Sequence, residues 1–291
     1  MSTVEASRPP ANAELSDRAL PNGFLAVYAV EWHKLLSQNK VRAVTAILVV
    51  APWLAIELIV NQSRLPLETL YGRYLTTTGL ATPMFVLVTA VQWIFPLVAA
   101  FVSGDIFSAD DAHGTYKTIL TRSVSRRSVF WGKVAAGWSF TAALVAAMAL
   151  SSLAAGLVVV GHQPFITVGA ESISASMGTV LVLLAWLSVI PAVLGFASLA
   201  MLVSVATRNS VLGVVVPVVV GLLFQMYSFL NAWDTVRHLL LNWAMNGWRG
   251  ALDSPSRPDT LITGLGISLV YIVAFIVPAY AVFHRRDIAG G

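Results

Sequence analysis

The sequence predicts an all-α membrane domain with six helical spans, and three observations carry that expectation. Mean hydropathy is +0.77. Apolar residues make up 57% and charged residues only 11%, against the ~45–50% and ~25% of soluble domains. Six apolar runs, near 42–61, 84–104, 129–160, 177–206, 211–230 and 260–283, reach or exceed the ~20 residues that a helix needs to cross a ~30 Å hydrocarbon layer.

The elements follow in chain order. Residues 1–22 are rich in Ala, Ser, Pro and Asn without an apolar core, so they read as a disordered cytoplasmic tail and not as a secretory signal. Residues 23–41 read as an amphipathic helix lying in the membrane interface. Phe24, Tyr28, Trp32, Leu35 and Leu36 form its apolar stripe, and Glu31, His33, Lys34 and Gln38 its polar one. A plain extension of the first span is the alternative. The transmembrane domain then occupies 42–283, and 284–291 form a short C-terminus. Only Thr207, Arg208, Asn209 and Ser210 separate two of the apolar runs, which requires a tight hairpin or one re-entrant segment. Pro52, Pro96, Pro191, Pro217 and Pro278 fall inside spans and predict kinks. Ser151, Ser152, Gly156, Gly161, Gly195 and Ser198 suit close helix packing.

Basic residues set the orientation, because Lys and Arg accumulate on the cytoplasmic side. With the N-terminus inside, Arg8, Arg18, Lys34, Lys40, Arg42, Lys117, Arg122, Arg126, Arg127, Lys133, Arg208, Arg285 and Arg286 are cytoplasmic, and Arg64, Arg73, Arg237, Arg249 and Arg257 lie outside, a split of 13 to 5. Both termini are therefore expected in the cytoplasm. The +4 net charge reports topology, and no nucleic-acid partner is expected.

The polar stretch 104–128 is the most informative loop. Ser108 and Asp111 have capping-box spacing, acids fill the first turn that follows, and Arg122 sits where a helix end favours a cation, so a short helix outside the bilayer is predicted. Ser125 is placed to cap the next span, which Arg126, Arg127 and Lys133 enter from the cytoplasm. On the opposite side, 231–259 carry Trp233, Trp243 and Trp248 among Leu239, Leu240, Leu241 and Met245, which predicts short interfacial helices. Asp234, Arg237 and His238 share helical spacing there, which a solvated surface cluster explains better than a substrate or metal site.

The missing chemistry is equally informative. The chain has no cysteine, which removes disulfides and thiolate metal sites. His33, His113, His162, His238 and His284 are scattered, without metal-ligand spacing. Ser37 and Lys40 match a Ser-x-x-Lys pair only by chance, and there is no nucleophile elbow. No phosphate-binding loop is present, so any ATP chemistry belongs to a partner. Glu57 is the one acid inside a span, near its outer end. An intramembrane acid suggests function, but Glu57 is close enough to headgroup water to weaken that inference.

The loop and its flanks resemble the permease subunits of ABC transporters of the ABC-2 (type-2, exporter-like) family. The likeness runs through Asp110, Asp111, Gly114, Thr115, Tyr116, Lys117, Thr118, Ile119, Leu120, Thr121 and Arg122, then Ser125-Arg126 and Gly132-Lys133, with Ser123 where many members have Pro and Asp110 where Glu is frequent. The stretch Glu31-Trp32-His33-Lys34-Leu35 is similar to that family's connecting helix, and the Trp-rich segment to its extracellular helices. The resemblance implies a non-catalytic membrane subunit whose coupling helix docks on a separate ATP-binding subunit holding ATP and Mg. It also implies a second permease copy or paralogue across the substrate path, membrane lipid around it, and no cofactor bound by this chain. In such a complex Tyr116, Ile119 and Leu120 would fill an apolar socket on the ATPase, with Asp110, Asp111, Lys117 and Arg122 orienting it. An ion-coupled secondary transporter or channel is the alternative, and an intramembrane enzyme the weakest reading.

Overall fold

A computed structural model describes residues 23–62, 66–112, 124–230, 234–253 and 256–285. Six helices in it are long and apolar enough to cross a membrane: Asn39–Asn61, Ala81–Asp111, Arg126–Val159, Ala175–Thr207, Ser210–Ser228 and Pro258–Arg285. Each overlaps one of the predicted runs, and the third and fourth are longer than a bilayer requires. The second, third and fourth spans are the most buried, and the first, fifth and sixth form the periphery. Met84, Leu87 and Val91 of the second span, with Leu80 just ahead of it, share one continuous apolar core with Val189, Val193 and Phe196 of the fourth. The outer faces of the first and sixth spans, including Ile47, Leu54, Ile262 and Val270, stay exposed as lipid-facing helices require.

The second span is not regular. Ala81–Thr89 and Phe95–Ser103 are α-helical, but Ala90–Ile94 form a π turn, with the Phe95 N–H bonded to the Ala90 carbonyl. Pro96 accounts for this widening: it lacks an N–H, and its ring would clash with the carbonyl four residues back in a regular helix. The span continues past Ser103 to a short helix, Ser108–Ala112. At that junction the backbones of the second and fifth spans touch. A Cβ on Gly213 would fall 1.9 Å from the Gly104 carbonyl oxygen, so both positions need glycine.

The tight hairpin between the fourth and fifth spans is built by local chemistry. Arg208 takes a left-handed conformation (φ 55°) that ends one helix, and the Asn209 side chain accepts from the Val211 and Leu212 N–H groups to start the next. With that hairpin in place the fifth run is a full span of its own. A two-residue antiparallel hairpin, Phe165–Ile166 with Ser172–Ile173, joins the third and fourth spans. It sits beside a 3₁₀ turn at Gly72–Tyr74, where Tyr71 stacks on Phe165 at 5.6 Å between ring centroids. The Trp-rich segment folds as three short helices, Asp234–Leu239, Leu241–Ala244 and Trp248–Ala251. The second and third of these pack against the start of the sixth span, with Thr260 donating to the Gly247 carbonyl at 2.9 Å.

Ahead of the first span, Gly23–Ser37 form a separate helix. Its stripe of Tyr28 and Trp32 docks on the third span. The Tyr28 hydroxyl lies 3.1 Å from the Ser139 hydroxyl, the Trp32 indole N–H donates to the same oxygen at 2.8 Å, and the Trp32 ring meets Phe140 at 4.9 Å. Two of the predicted faces are therefore corrected. Leu36 points outward, with Leu25 and Val30, while Glu31 turns inward and is only 4% exposed. The outward surface of this helix is itself apolar, so the polar residue has been moved to the protein side, where a partner awaits it.

Candidate functional site: a buried ion cluster at the base of the loop

That partner is Lys133, two turns into the third span and 1% exposed. Its ammonium donates to Glu31 Oε1 at 2.9 Å and to the Ile106 carbonyl at 2.9 Å, and it pairs with Asp110. Lys34 closes the cluster, reaching Glu31 at 2.9 Å and Asp110 at 3.1 Å. Two carboxylates and two ammonium groups thus meet between three segments: the N-terminal helix, the end of the second span and the start of the third. The net charge of the set is zero, which is what makes burial tolerable, since an unpaired ion in this setting costs several kcal/mol. Burial disfavours the Lys34 cation, but Glu31 and Asp110 outweigh it and hold the Lys34 pKa above its ordinary value. Lys40 adds an outer pair with Asp105, its ammonium 5.5 Å above the Phe101 ring.

The start of the loop is pinned from the other side as well. Ser108 is fully buried; its N–H donates to the Ser204 hydroxyl at 3.1 Å, and its own hydroxyl lies 2.9 Å from that of Ser210. The predicted capping box between Ser108 and Asp111 is consequently not formed: the serine hydroxyl is committed to the fourth and fifth spans, and the Asp111 N–H bonds the Phe107 carbonyl at 3.4 Å. The helical path simply runs on from the second span, as the bond from the Ala109 N–H to the Asp105 carbonyl at 2.9 Å illustrates. On the return, Ser125 caps the third span as predicted, accepting from the Ser128 N–H at 3.1 Å. Arg126 donates to the His284 carbonyl at 3.3 Å, which ties the loop's exit to the end of the sixth span. Beneath it Phe107, Phe130 and Phe283 pack as an aromatic plug, with centroids 5.4–5.6 Å apart.

Of the residues singled out in the sequence, Asp110, Asp111, Ser125 and Arg126 therefore stand at the two ends of the loop. Gly114, Thr115, Tyr116, Lys117, Ile119, Leu120 and Arg122 lie outside the described residues. Glu57 is remote from the cluster, exposed on the first span, and accepts from Asn61 at 2.8 Å. Asp234 and Arg237 pair at 2.9 Å on an exposed surface, and among the described residues no three His, Asp or Glu side chains are grouped to hold a metal. The sequence reading missed Glu31 and Lys133 as a buried pair. The available signal is the place of Lys133 one full heptad inside an apolar helix, deeper than Arg126 and Arg127.

Six apolar helices, almost no sheet and a charge cluster confined to one end define an all-α, multi-pass membrane protein. Residues 44–289 match the model of a family of proteins of unknown function, DUF2705, and the chain belongs to that family. No curated protein matches it.

Proposed function

We propose that this chain is the transmembrane permease subunit of an ATP-driven ABC transporter of the ABC-2 type, working as an exporter in the cell membrane with both termini cytoplasmic. A separate ATP-binding subunit supplies hydrolysis, and two permease copies, or one copy and a paralogue, enclose the substrate path. The observation that supports this most is the buried cluster of Glu31, Lys34, Asp110 and Lys133, which joins the N-terminal helix, the loop's base and the third span. A loop clamped in this way is a lever. A push delivered to its tip by a closing motor cannot be absorbed by local bending at the base, so it moves the second and third spans as a unit. Arg126 and the Gly104–Gly213 contact carry the same displacement to the sixth and fifth spans. The N-terminal helix, apolar on its outward face, slides with them along the membrane interface.

The test is to separate ATP hydrolysis from transport. Gly114→Pro and Arg126→Glu are expected to insert normally and to leave the partner's ATPase running while transport falls at least about tenfold, that is by ~1.4 kcal/mol in coupling. Transport at the wild-type level in both variants would overturn the coupling role.

A further inference from the structure

The second span is the most buried of the six, yet one stripe of it is left open. Between Ala81 and Ser103 only Thr89, Trp93 and Leu97 are exposed, each four residues from the next on one face, with Phe85, Gln92 and Phe101 half-buried along it. Gln92 and Trp93 sit inside the π turn Ala90–Ile94, a feature frequent at functional sites. Gln92 lies about 16 Å along the helix from Ala81 by its rise per residue, near the middle of a ~30 Å hydrocarbon layer.

A carboxamide at that depth needs a partner. Neither the Gln92 amide nor the Trp93 indole N–H has one among the described residues. Other polar side chains of the spans are served within the chain. Gln225 of the fifth span accepts from Asn242 at 2.8 Å, and the indoles of Trp53, Trp138 and Trp186 donate to Ser151, Ser198 and the Pro83 carbonyl at 3.1, 3.2 and 3.1 Å. Lipid tails accept no hydrogen bond, so an amide facing them is costly in a way that the open Ile47, Leu54, Ile262 and Val270 of the first and sixth spans are not. Something other than lipid therefore covers this stripe.

We infer that the stripe is a homodimer contact, where the second span of one copy lies against the second span of another across a two-fold axis. A carboxamide is self-complementary: each Gln92 donates through its NH2 group and accepts at its carbonyl, so two copies satisfy each other without a third component. Hydrogen bonds of this kind join transmembrane helices. The span carries no charge from Ala81 to Ser103, so nothing on the stripe calls for a partner of different chemistry. Thr89, Trp93 and Leu97 supply a ridge at i±4 spacing for the packing around the amide. The inference rests on the second permease copy of the proposed function, which it makes identical to the first, and not on the motor.

The chain has no cysteine, so each single-cysteine variant reports one position. Full-length Thr89→Cys, Gln92→Cys and Leu97→Cys proteins in native membranes would be oxidised with copper phenanthroline and separated on non-reducing gels, beside Val270→Cys on the open face of the sixth span. Disulfide-linked dimers are expected at the second-span positions and not at Val270→Cys, because the bond needs Cα atoms within ~7 Å. In detergent, sedimentation equilibrium should show the dimer dissociation constant rising about tenfold in Gln92→Leu, the scale of an interhelical polar contact, and partly restored in Gln92→Asn. Wild-type dimerisation in Gln92→Leu would overturn the contact. So would a dimer that crosslinks at Val270→Cys alone, which keeps the second copy but moves it to another face. Reaction of all three second-span cysteines with a water-soluble maleimide, without crosslinks, would make the stripe the wall of an aqueous path and overturn the contact as well. The crosslinks need no ATP-binding partner, so a failed motor assignment leaves them in place.

Discussion

The two ends of this bundle treat buried charge in opposite ways. At the loop end Lys133 is almost inaccessible and is met by Glu31, Asp110 and a backbone carbonyl. At the far end Arg249 is half-buried and pairs with no carboxylate among the described residues, and the Tyr71 hydroxyl and Trp248 indole N–H are buried without a partner there. A set of ions that satisfies itself fixes the geometry of three segments, which the proposed lever would need at its fulcrum. Buried donors without acceptors give the far end no such lock.

Mutations break the comparison most sharply at the fulcrum. Lys133→Met removes the buried cation and leaves Glu31 and Asp110 only the more exposed Lys34 as a shared partner, and should destabilise the protein by ~3–5 kcal/mol. Thermal unfolding in detergent reads this directly, and a Glu31→Gln, Lys133→Met double variant should recover part of the loss by removing one stranded charge. A Lys133→Met protein as stable as wild type would mean that the cluster holds nothing together. At the far end the same kind of truncation should cost little. Tyr71→Phe removes a buried hydroxyl without a partner among the described residues, so the variant is expected within about 1 kcal/mol of wild type or slightly more stable. A loss as large as that at Lys133 would show that the hydroxyl is already satisfied inside the fold.

The smallest effect concerns Lys34 and pH. Its pKa in the folded protein is raised, so the paired ammonium contributes stability fully below the unfolded lysine value of ~10.4, and that contribution is lost as pH rises through the higher folded value. The difference in unfolding temperature between wild type and Lys34→Met should therefore be flat through neutral pH and shrink only in strong alkali. Because Lys34 is 38% exposed at its side chain, the step is small. A difference that instead vanished on acidification to neutral pH would contradict the pairing.

Much of the architecture was legible in the sequence, because hydropathy over ~20 residues is a strong signal and hairpin chemistry at Arg208 and Asn209 is local. The Ser125 cap was legible for the same reason. The ion cluster was not. Glu31 has the spacing of a polar helix face, and only docking on the third span turns it toward Lys133, 102 positions away. Ser108 likewise carries a capping signature that tertiary contact with Ser204 and Ser210 overrides. Pro96 predicts a kink, but not that it takes the form of a π turn. Nothing in the sequence separates Arg249 from Arg237 and Arg257, yet only the latter two pair with a carboxylate among the described residues.

The most direct measurement is purification of the chain from its native membrane in mild detergent, with mass spectrometry of the co-purifying subunits and an ATPase assay on the product. A stoichiometric partner carrying a phosphate-binding loop is expected, with vanadate-sensitive hydrolysis that is altered by mutations between Asp110 and Arg126. A clean homo-oligomer with no nucleotide-hydrolysing partner would contradict the assignment as a motor-driven permease.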